Sequence, residues 1–450
     1  MVEVVIPAER VAVLGTYDVV VCGGGVAGIS AAVCAARHGA KAVLIERWPF
    51  VGGMATAAFV NGWHRSDRAK VVINGLVEEL TEQLVANGWA YRVADFPRAY
   101  ETHWFEPEGM RIMAHRVLGA AGVEVLCYTP VSQPIVEDGR VAGVVVEARQ
   151  GRRAVLGRMV IDATGDGDVA ARAGVPFEVG RGEDGLVQGM TLMYRLRGHD
   201  MKAIGALPAE QVERIRQEMV RLRDAGSLPP FNTSFKVTWT GGYINMAAVA
   251  CDPLDARQLT AATVLATERV QAFVAYFRAN VPGFANAELD KQGFSLGIRE
   301  SRRVRGLKTL DAAMVVGAAR QPDAIGHGMW MIDIHDPRGT GHTTWCDQQA
   351  RHMLPEGQSY HIPLGMCLNE RYGNLAVVGR CASSTHEAHS SVRVQTHCMV
   401  MGQGVGTCAA LALAAGVSLR DVPIGKLQET LRRDGVYLED VPASADAAVP

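Results

Sequence analysis

Residues Tyr17 to Glu46 constrain this chain more than any other stretch. Asp18-Val19-Val20-Val21-Cys22 is a short β-branched apolar run, the pattern of a strand buried on both faces. It breaks into Gly23-Gly24-Gly25-Val26-Ala27-Gly28, a G-x-G-x-x-G. Ile29 to His38 is Ala-rich and helical in pattern, and Gly39 suits a helix stop. Ala42 to Ile45 is a second apolar strand, and it ends on Glu46, 18 residues after Gly28. Each part has a physical job. Gly23 permits the tight turn, Gly25 lets the backbone approach a pyrophosphate, and Gly28 lets the helix sit close on the strand. The helix N-terminus, opening with Val26 and Ala27, turns its free N–H groups toward the phosphates. Glu46 stands where an acid accepts hydrogen bonds from ribose hydroxyls. The combination predicts an adenine dinucleotide site.

A chain of 450 residues can bury the cores of two or three intimately packed domains. Its net charge of −2 provides no basic face for nucleic acid or an anionic membrane. Nine cysteines without a C-x-x-C indicate reduced thiols and a cytoplasmic setting, and offer no redox disulfide or iron–sulfur ligation. Met1 to Leu14 carries Glu3, Glu9 and Arg10 and does not read as a signal peptide. Val394 to Leu419 has no Asp, Glu, Lys or Arg, long enough on paper to span a bilayer. Gln395, His397, Gln403 and its glycines instead predict a buried helix, and no membrane association is expected.

Further along, Phe50 to Thr56 is a loop of small residues, either running beside the cofactor or forming a simple glycine turn. Helices are expected at Gly75 to Asn87 and Glu108 to Ala120, and a hairpin at Val131 to Val136 and Val141 to Glu147. Ala154 to Ile161 is a strand ending in Asp162-Ala163-Thr164-Gly165-Asp166-Gly167-Asp168. This acidic loop lacks the far bidentate Glu of a calcium loop, so no metal site is expected there. From Ala171 the dinucleotide pattern lapses. Strands at Met190 to Leu196 and Phe235 to Ala250, with helices at Pro208 to Ala225 and Ala256 to Arg278, suggest an inserted substrate domain. Arg299, Arg302, Arg303 and Arg305 form either a solvated face or a cluster aimed at a carboxylate or a cofactor ring. Eight of the thirteen histidines lie between His327 and His397. Leu375 to Val378 is a strand closing on Gly379-Arg380, and the tail from Pro442 is expected to fray.

These stretches together resemble the FAD-dependent oxidoreductase family of glutathione-reductase-type flavoproteins, distant relatives of the fumarate reductase and thiazole synthase flavoproteins. The matching segments are Asp18–Glu46, Phe50–Thr56, Ile161–Gly167, Gly297–Gly306, Met331–Pro337, Asn374–Glu387 and Val392–Ala410. The resemblance implies an α/β fold, a Rossmann-like FAD-binding domain with an inserted α+β substrate domain. The FAD domain would take residues 1–170 and 366–420, the substrate domain 171–365 with 290–310 packing back near the flavin, and a C-terminal helix and tail 421–450. It implies FAD rather than NAD. Glu46 and Arg47 would lie at the adenosine ribose, with Gly53, Met54, Ala55 and Thr56 alongside. Val131, Ala163, Thr164 and Gly165 would border the ADP half, Gly379 and Arg380 the ribityl chain, and Val394 and Gln395 the flavin pyrimidine edge. Two departures stand out. Many relatives have Gly-Asp where this chain has Gly379-Arg380, and an Asp where it has His361 before Ile362-Pro363.

The leading expectation is hydride transfer between flavin N5 and a small alcohol, amine or hydroxy acid. Such a reaction needs a base, and His is suited near neutral pH. His386, His389 and His397 are the base candidates, with His64 and His335 behind them. Arg299 and Arg302 are candidates for binding a substrate carboxylate. The electron acceptor would be oxygen or a carrier, and a homo-oligomer stays open. The alternatives are a flavin-dependent double-bond reductase or monooxygenase and, more remotely, a metal enzyme using His386 with His389, or His342 with Cys346. The last lacks an evident third ligand. A disulfide reductase is disfavoured by the missing second G-x-G-x-x-G, and a pure electron carrier by the inserted domain.

Overall fold

The computed structural model describes residues 4, 7–93, 100–231, 242–341, 353–438, 440 and 441. The β-branched run at 18–22 is the buried end of a longer strand, Ala12–Cys22, whose opening residues face solvent. Val19, Val20, Val21 and Cys22 are fully buried because the strand is central. It pairs in parallel with Ala42–Ile45 on one side and Gly151–Asp162 on the other. The sheet extends, still parallel, to Glu124–Leu126 beyond the first and to Leu375–Val377 beyond the second. A strand from the last quarter of the chain thus completes a sheet begun in the first fifty residues. The expected hairpin, Val131–Glu137 with Arg140–Ala148, turns at Asp138 and Gly139, both with positive φ (47° and 73°). It pairs with the Gly151–Leu156 part of the long strand, and Leu375–Val377 takes over at Val160.

This registry brings four carboxyl ends together, Cys22 beside Ile45 and Asp162, and Asp162 beside Val377. Open α/β sheets hold their ligands at that edge.

Two helices back the sheet, Val26–Arg37 and Gln395–Ala415. The second is the uncharged stretch. Among the described residues it is the helix long and apolar enough to cross a membrane, and 78% of its most apolar window is buried within the protein. Its glycines explain the packing. A Cβ on Gly402 would lie 2.2 Å from Ala27 O, and one on Gly406 2.2 Å from Ala31 O. The two residues are one turn apart on one face, so the helices meet backbone to backbone.

A separate core forms in the insertion. Met190–Arg197 is flanked antiparallel by Tyr243–Val249 and Glu288–Gln292. Phe273 and Phe277 of the helix Ala256–Asn280 fill this core. The helix Ala209–Asp224 buries only Met219. Residues 235–241 of the strand expected at 235–250, the pair His342 and Cys346, and the tail from Pro442 lie outside the described residues. The 171–365 boundary is less sharp than expected, because Leu310, Ile325, Tyr360, Ile362 and Leu364 join the first core rather than the second.

One sheet had no sequence signal. Gly62–His64, Thr102–Phe105 and Ala90–Val93 pair antiparallel, and strands of three or four residues are too short to show a period. It carries His64. The eight described cysteines are all free.

Candidate active site

At the carboxyl edge of the parallel sheet the chain encloses a cavity of about 550 Å³, within the size range of small-molecule sites. Its first end is built by the glycine loop. Gly23 turns at φ 112° with its Cβ position 2.3 Å from Ala163 O, so only glycine fits. Gly25 differs: a Cβ there would meet nothing nearer than Gly53 Cα at 3.9 Å. The helix starting at Val26 has no side-chain cap and no acid in its first turn, which leaves its N–H groups and dipole open to an anion. Glu46 accepts hydrogen bonds from Gly24 N (2.6 Å) and Trp48 N (2.9 Å). Burial raises the Glu46 carboxyl above its ordinary value, against those bonds.

Of the residues expected around a cofactor, Gly23, Gly25, Val26, Ala27, Glu46, Arg47, Gly53, Met54, Ala55, Val131, Ala163, Thr164, Gly165, Gly379, Arg380, Val394 and Gln395 all line this cavity. Gly28 and Thr56 do not. Gly28 packs helix on strand, its Cβ position 1.9 Å from Gly23 O, and Thr56 Oγ1 donates to Val51 O at 3.0 Å.

Midway along, Arg380 donates to Ser301 Oγ (2.9 Å) and Asp166 Oδ1 (2.8 Å), and Arg47 lies 3.8 Å from Asp166 Oδ2. Burial would raise the Asp166 carboxyl, but Arg380 and Arg47 outweigh it and hold it below the ordinary value. Arg302, expected at the substrate, instead donates to Asp166 O and Asp168 Oδ1, both at 3.0 Å, outside the cavity lining.

The far end is polar on one wall. Arg299 donates to Gly189 O and Thr191 Oγ1, both at 2.8 Å. Arg393 donates to Asp333 O at 3.1 Å, while its Nη1 is buried without a hydrogen-bond partner. His335 Nε2 lies 3.5 Å from Asp333 Oδ2. Burial, reinforced by the neighbouring Arg393, lowers Arg299 to about 9, and burial lowers Arg393 to about 10. Asp333 falls to about 2, since His335 and the two guanidiniums outweigh its burial. Opposite, His64 stacks on Trp330 (centroids 4.3 Å apart, 17° between planes), and its Nδ1 lies 2.8 Å from Thr102 Oγ1. Burial drops His64 to about 3 and His335 to about 4, so both are neutral at pH 7.

The three leading base candidates lie behind this wall. His386 Nδ1 sits 2.8 Å from the buried Glu300, which also pairs with Arg303. His389 Nε2 reaches Arg380 O at 2.8 Å, and His397 Nε2 accepts the Met329 N–H at 3.1 Å. Burial lowers both His389 and His397 to about 3. A base has to come within hydrogen-bond reach of its proton, and none of the three lines the cavity. Arg393, Asp333 and Trp330 were not foreseen, although Asp333 and Arg393 fall in the quoted stretches Met331–Pro337 and Val392–Ala410.

The donor set fits FAD. One uncapped helix N-terminus opens at Gly25, and a second opens at Val394, where the helix Gln395–Ala415 also lacks a side-chain cap. By contrast the helix His386–Val392 is capped by Thr385. The Gln395 side chain is held by Trp63 Nε1 (2.8 Å) and Val60 O (2.6 Å), fixing that N-terminus against the cavity.

Several known proteins are similar to this chain. A digeranylgeranylglycerophospholipid reductase of Sulfolobus acidocaldarius is similar, 33% identical over 161 residues. That match covers 33% of this chain and 34% of the relative, so it spans about a third of the curated protein's length. Among solved structures, a geranylgeranyl bacteriochlorophyll reductase-like protein from Thermoplasma acidophilum is 14% identical over 93% of this chain and 84% of its own, with a TM-score of 0.44. The myxobacterial chondrochloren halogenase is 15% identical over 93% and 79%, with a TM-score of 0.47. The family model described as FAD dependent oxidoreductase matches residues 18–431, and the protein belongs to that family.

Proposed function

We propose that this FAD-dependent oxidoreductase reduces a carbon–carbon double bond conjugated to a carboxylate. The observation that supports it is the pair of guanidiniums, Arg299 and Arg393, lining the cavity together with two histidines, His335 and His64, that are both neutral. Oxidising an alcohol or amine calls for a base near pH 7, and imidazoles lowered to about 3 and 4 are poor ones. Anchoring and polarising an unsaturated acid calls for cationic donors. This replaces the base-assisted oxidation expected first with the double-bond reduction held as an alternative. The reductase name of the 33%-identical relative supports the same direction.

The uncapped helix at Gly25 would hold the diphosphate of FAD, Glu46 the adenosine ribose, and the N-terminus at Val394 the ring edge. Bound there in reduced form, FAD supplies the hydride. Arg393, which lines the cavity, would bind the substrate carboxylate through its guanidinium, and Arg299 holds the neighbouring positive charge that spreads charge developing on the acid. Burial lowers Arg299 below its ordinary value, and it would be the group that releases a proton to the substrate carbon. Trp330 against His64 keeps water from that end. In this direction the partner that exchanges electrons is a donor.

The test is anaerobic. Enzyme reduced with dithionite is mixed with α,β-unsaturated mono- and dicarboxylates, and oxidised enzyme with the saturated hydroxy acids. Return of the oxidised flavin spectrum with an unsaturated acid is the expected result. Bleaching by a hydroxy acid, with no reoxidation by any unsaturated one, would reverse the direction of the reaction.

A further inference from the structure

Away from the cavity, the antiparallel strands Ala324–Gly328 and Tyr360–Pro363 set His327 directly opposite His361. Both imidazoles are fully buried. The C-terminal segment then lays Asp440 over them. Its Oδ1 lies 3.1 Å from His327 Nε2 and 3.3 Å from His361 Nε2, and one donor atom from each residue falls within 4.8 Å of the other two. We propose that His327, His361 and Asp440 form a binding site for a divalent transition-metal ion, with zinc as the reference ion.

Hydrogen bonding alone leaves the arrangement incomplete. His327 Nε2 is buried with no hydrogen-bond partner, although the Asp440 oxygen is only 3.1 Å away. A nitrogen close to an oxygen but not aimed at it is what two ligands of one ion look like. Bonds of about 2.0–2.1 Å at tetrahedral angles put ligand atoms about 3.3 Å apart, the separation seen from Asp440 to each ring, and the ligand atoms, within 4.8 Å of one another, would draw together on the ion.

The outer partners match as well. Metal-binding imidazoles are held through their second nitrogen, and ligating carboxylates through their second oxygen. His327 Nδ1 lies 2.9 Å from Ser359 Oγ. His361 Nδ1 faces both the N–H (3.0 Å) and the carbonyl (3.3 Å) of Gln321. In the ion-free ring Nδ1 accepts the Gln321 N–H and Nε2 faces Asp440 Oδ1 at 3.3 Å; ligation through Nε2 would move the ring proton to Nδ1, for donation to the Gln321 carbonyl. Asp440 Oδ2 is held by Arg320 at 3.1 Å. Two imidazoles and a carboxylate suit zinc and its first-row neighbours, and Asp440, 28% exposed, leaves room for water as a fourth ligand.

Such an ion would clip the C-terminal segment to the strand pair whose first strand leads into Met329 and Trp330, the latter a cavity residue. The ligands are spread over more than a hundred positions, so no local spacing marks them. The i, i+3 pair His386 and His389 is engaged elsewhere.

The test uses the FAD-bound enzyme, stripped with a chelator and titrated with Zn²⁺ and, for its visible d–d bands, Co²⁺. Wild type is expected to bind a stoichiometric ion, with Co²⁺ bands of a low-coordinate nitrogen–oxygen site. His361→Ala should abolish binding, and Asp440→Asn, near the surface, should weaken it by about tenfold or more with the flavin spectrum unchanged. Absence of stoichiometric uptake by wild type would overturn the proposal and leave a hydrogen-bonded His–Asp–His clamp. So would uptake that Asp440→Asn leaves intact.

Discussion

Gly402→Val is expected to destabilise the protein by about 3 kcal/mol or more, because its side chain enters a backbone contact that cannot yield. The Cβ would lie 2.2 Å from Ala27 O and 2.9 Å from the Ser30 Cβ. Both belong to the helix Val26–Arg37, whose own position is set by Gly28 against Gly23. To make room, either the long helix moves off or the glycine loop moves with its partner. Ala414→Val, on the exposed end of the same helix, is the control. It changes helix propensity by a few tenths of a kcal/mol, roughly the β-branched penalty. Denaturant unfolding of the two variants beside wild type measures the difference. Similar midpoints would show that the two helices are not held backbone to backbone.

The second large effect is on activity. Arg393→Met should lower kcat/KM for the unsaturated acid by about 10²–10³, the usual loss when one donor to developing charge is removed. The Arg393 side chain donates to Asp333 O rather than to the glycine loop, so FAD content should hold. Arg299 remains beside Asp333 to keep that carboxylate paired. Arg393→Lys keeps the charge but not the planar fork, and should recover part of the loss. A variant with wild-type kcat and KM would remove Arg393 from the substrate wall.

The nucleotide half was legible because its rules are local. Strand, glycines, helix and acid occur within thirty residues, and nearly every residue expected there lines the cavity. The uncharged helix was legible too, since Gln395, His397, Gln403 and its glycines marked it as buried rather than membrane-spanning. The substrate end was legible only in part: Arg299, His64 and His335 line the cavity as candidates, but Asp333, Arg393 and Trp330 did not stand out. His386, His389 and His397 were chosen for their closeness in sequence to Arg380 and Gln395. In the fold they turn inward, onto Glu300, Arg380 O and Met329 N. The wall they were expected to supply comes from Arg299, Asp333, His335 and Arg393, three separate segments that meet only through packing. His64 arrives on a three-residue strand that carries no periodicity.

Bound FAD in wild type and Gly25→Ala is the measurement closest to the central claim that this cavity is the flavin site. An added Cβ at Gly25 meets no protein atom closer than 3.9 Å, so the apoprotein should fold with an unchanged unfolding midpoint. The same methyl group obstructs the close approach of a pyrophosphate. The expected result is stoichiometric FAD in wild type and about a tenth of that or less in a folded Gly25→Ala. A folded variant with full FAD occupancy would contradict the placement of the diphosphate at this helix, and with it the orientation assigned to the rest of the cavity.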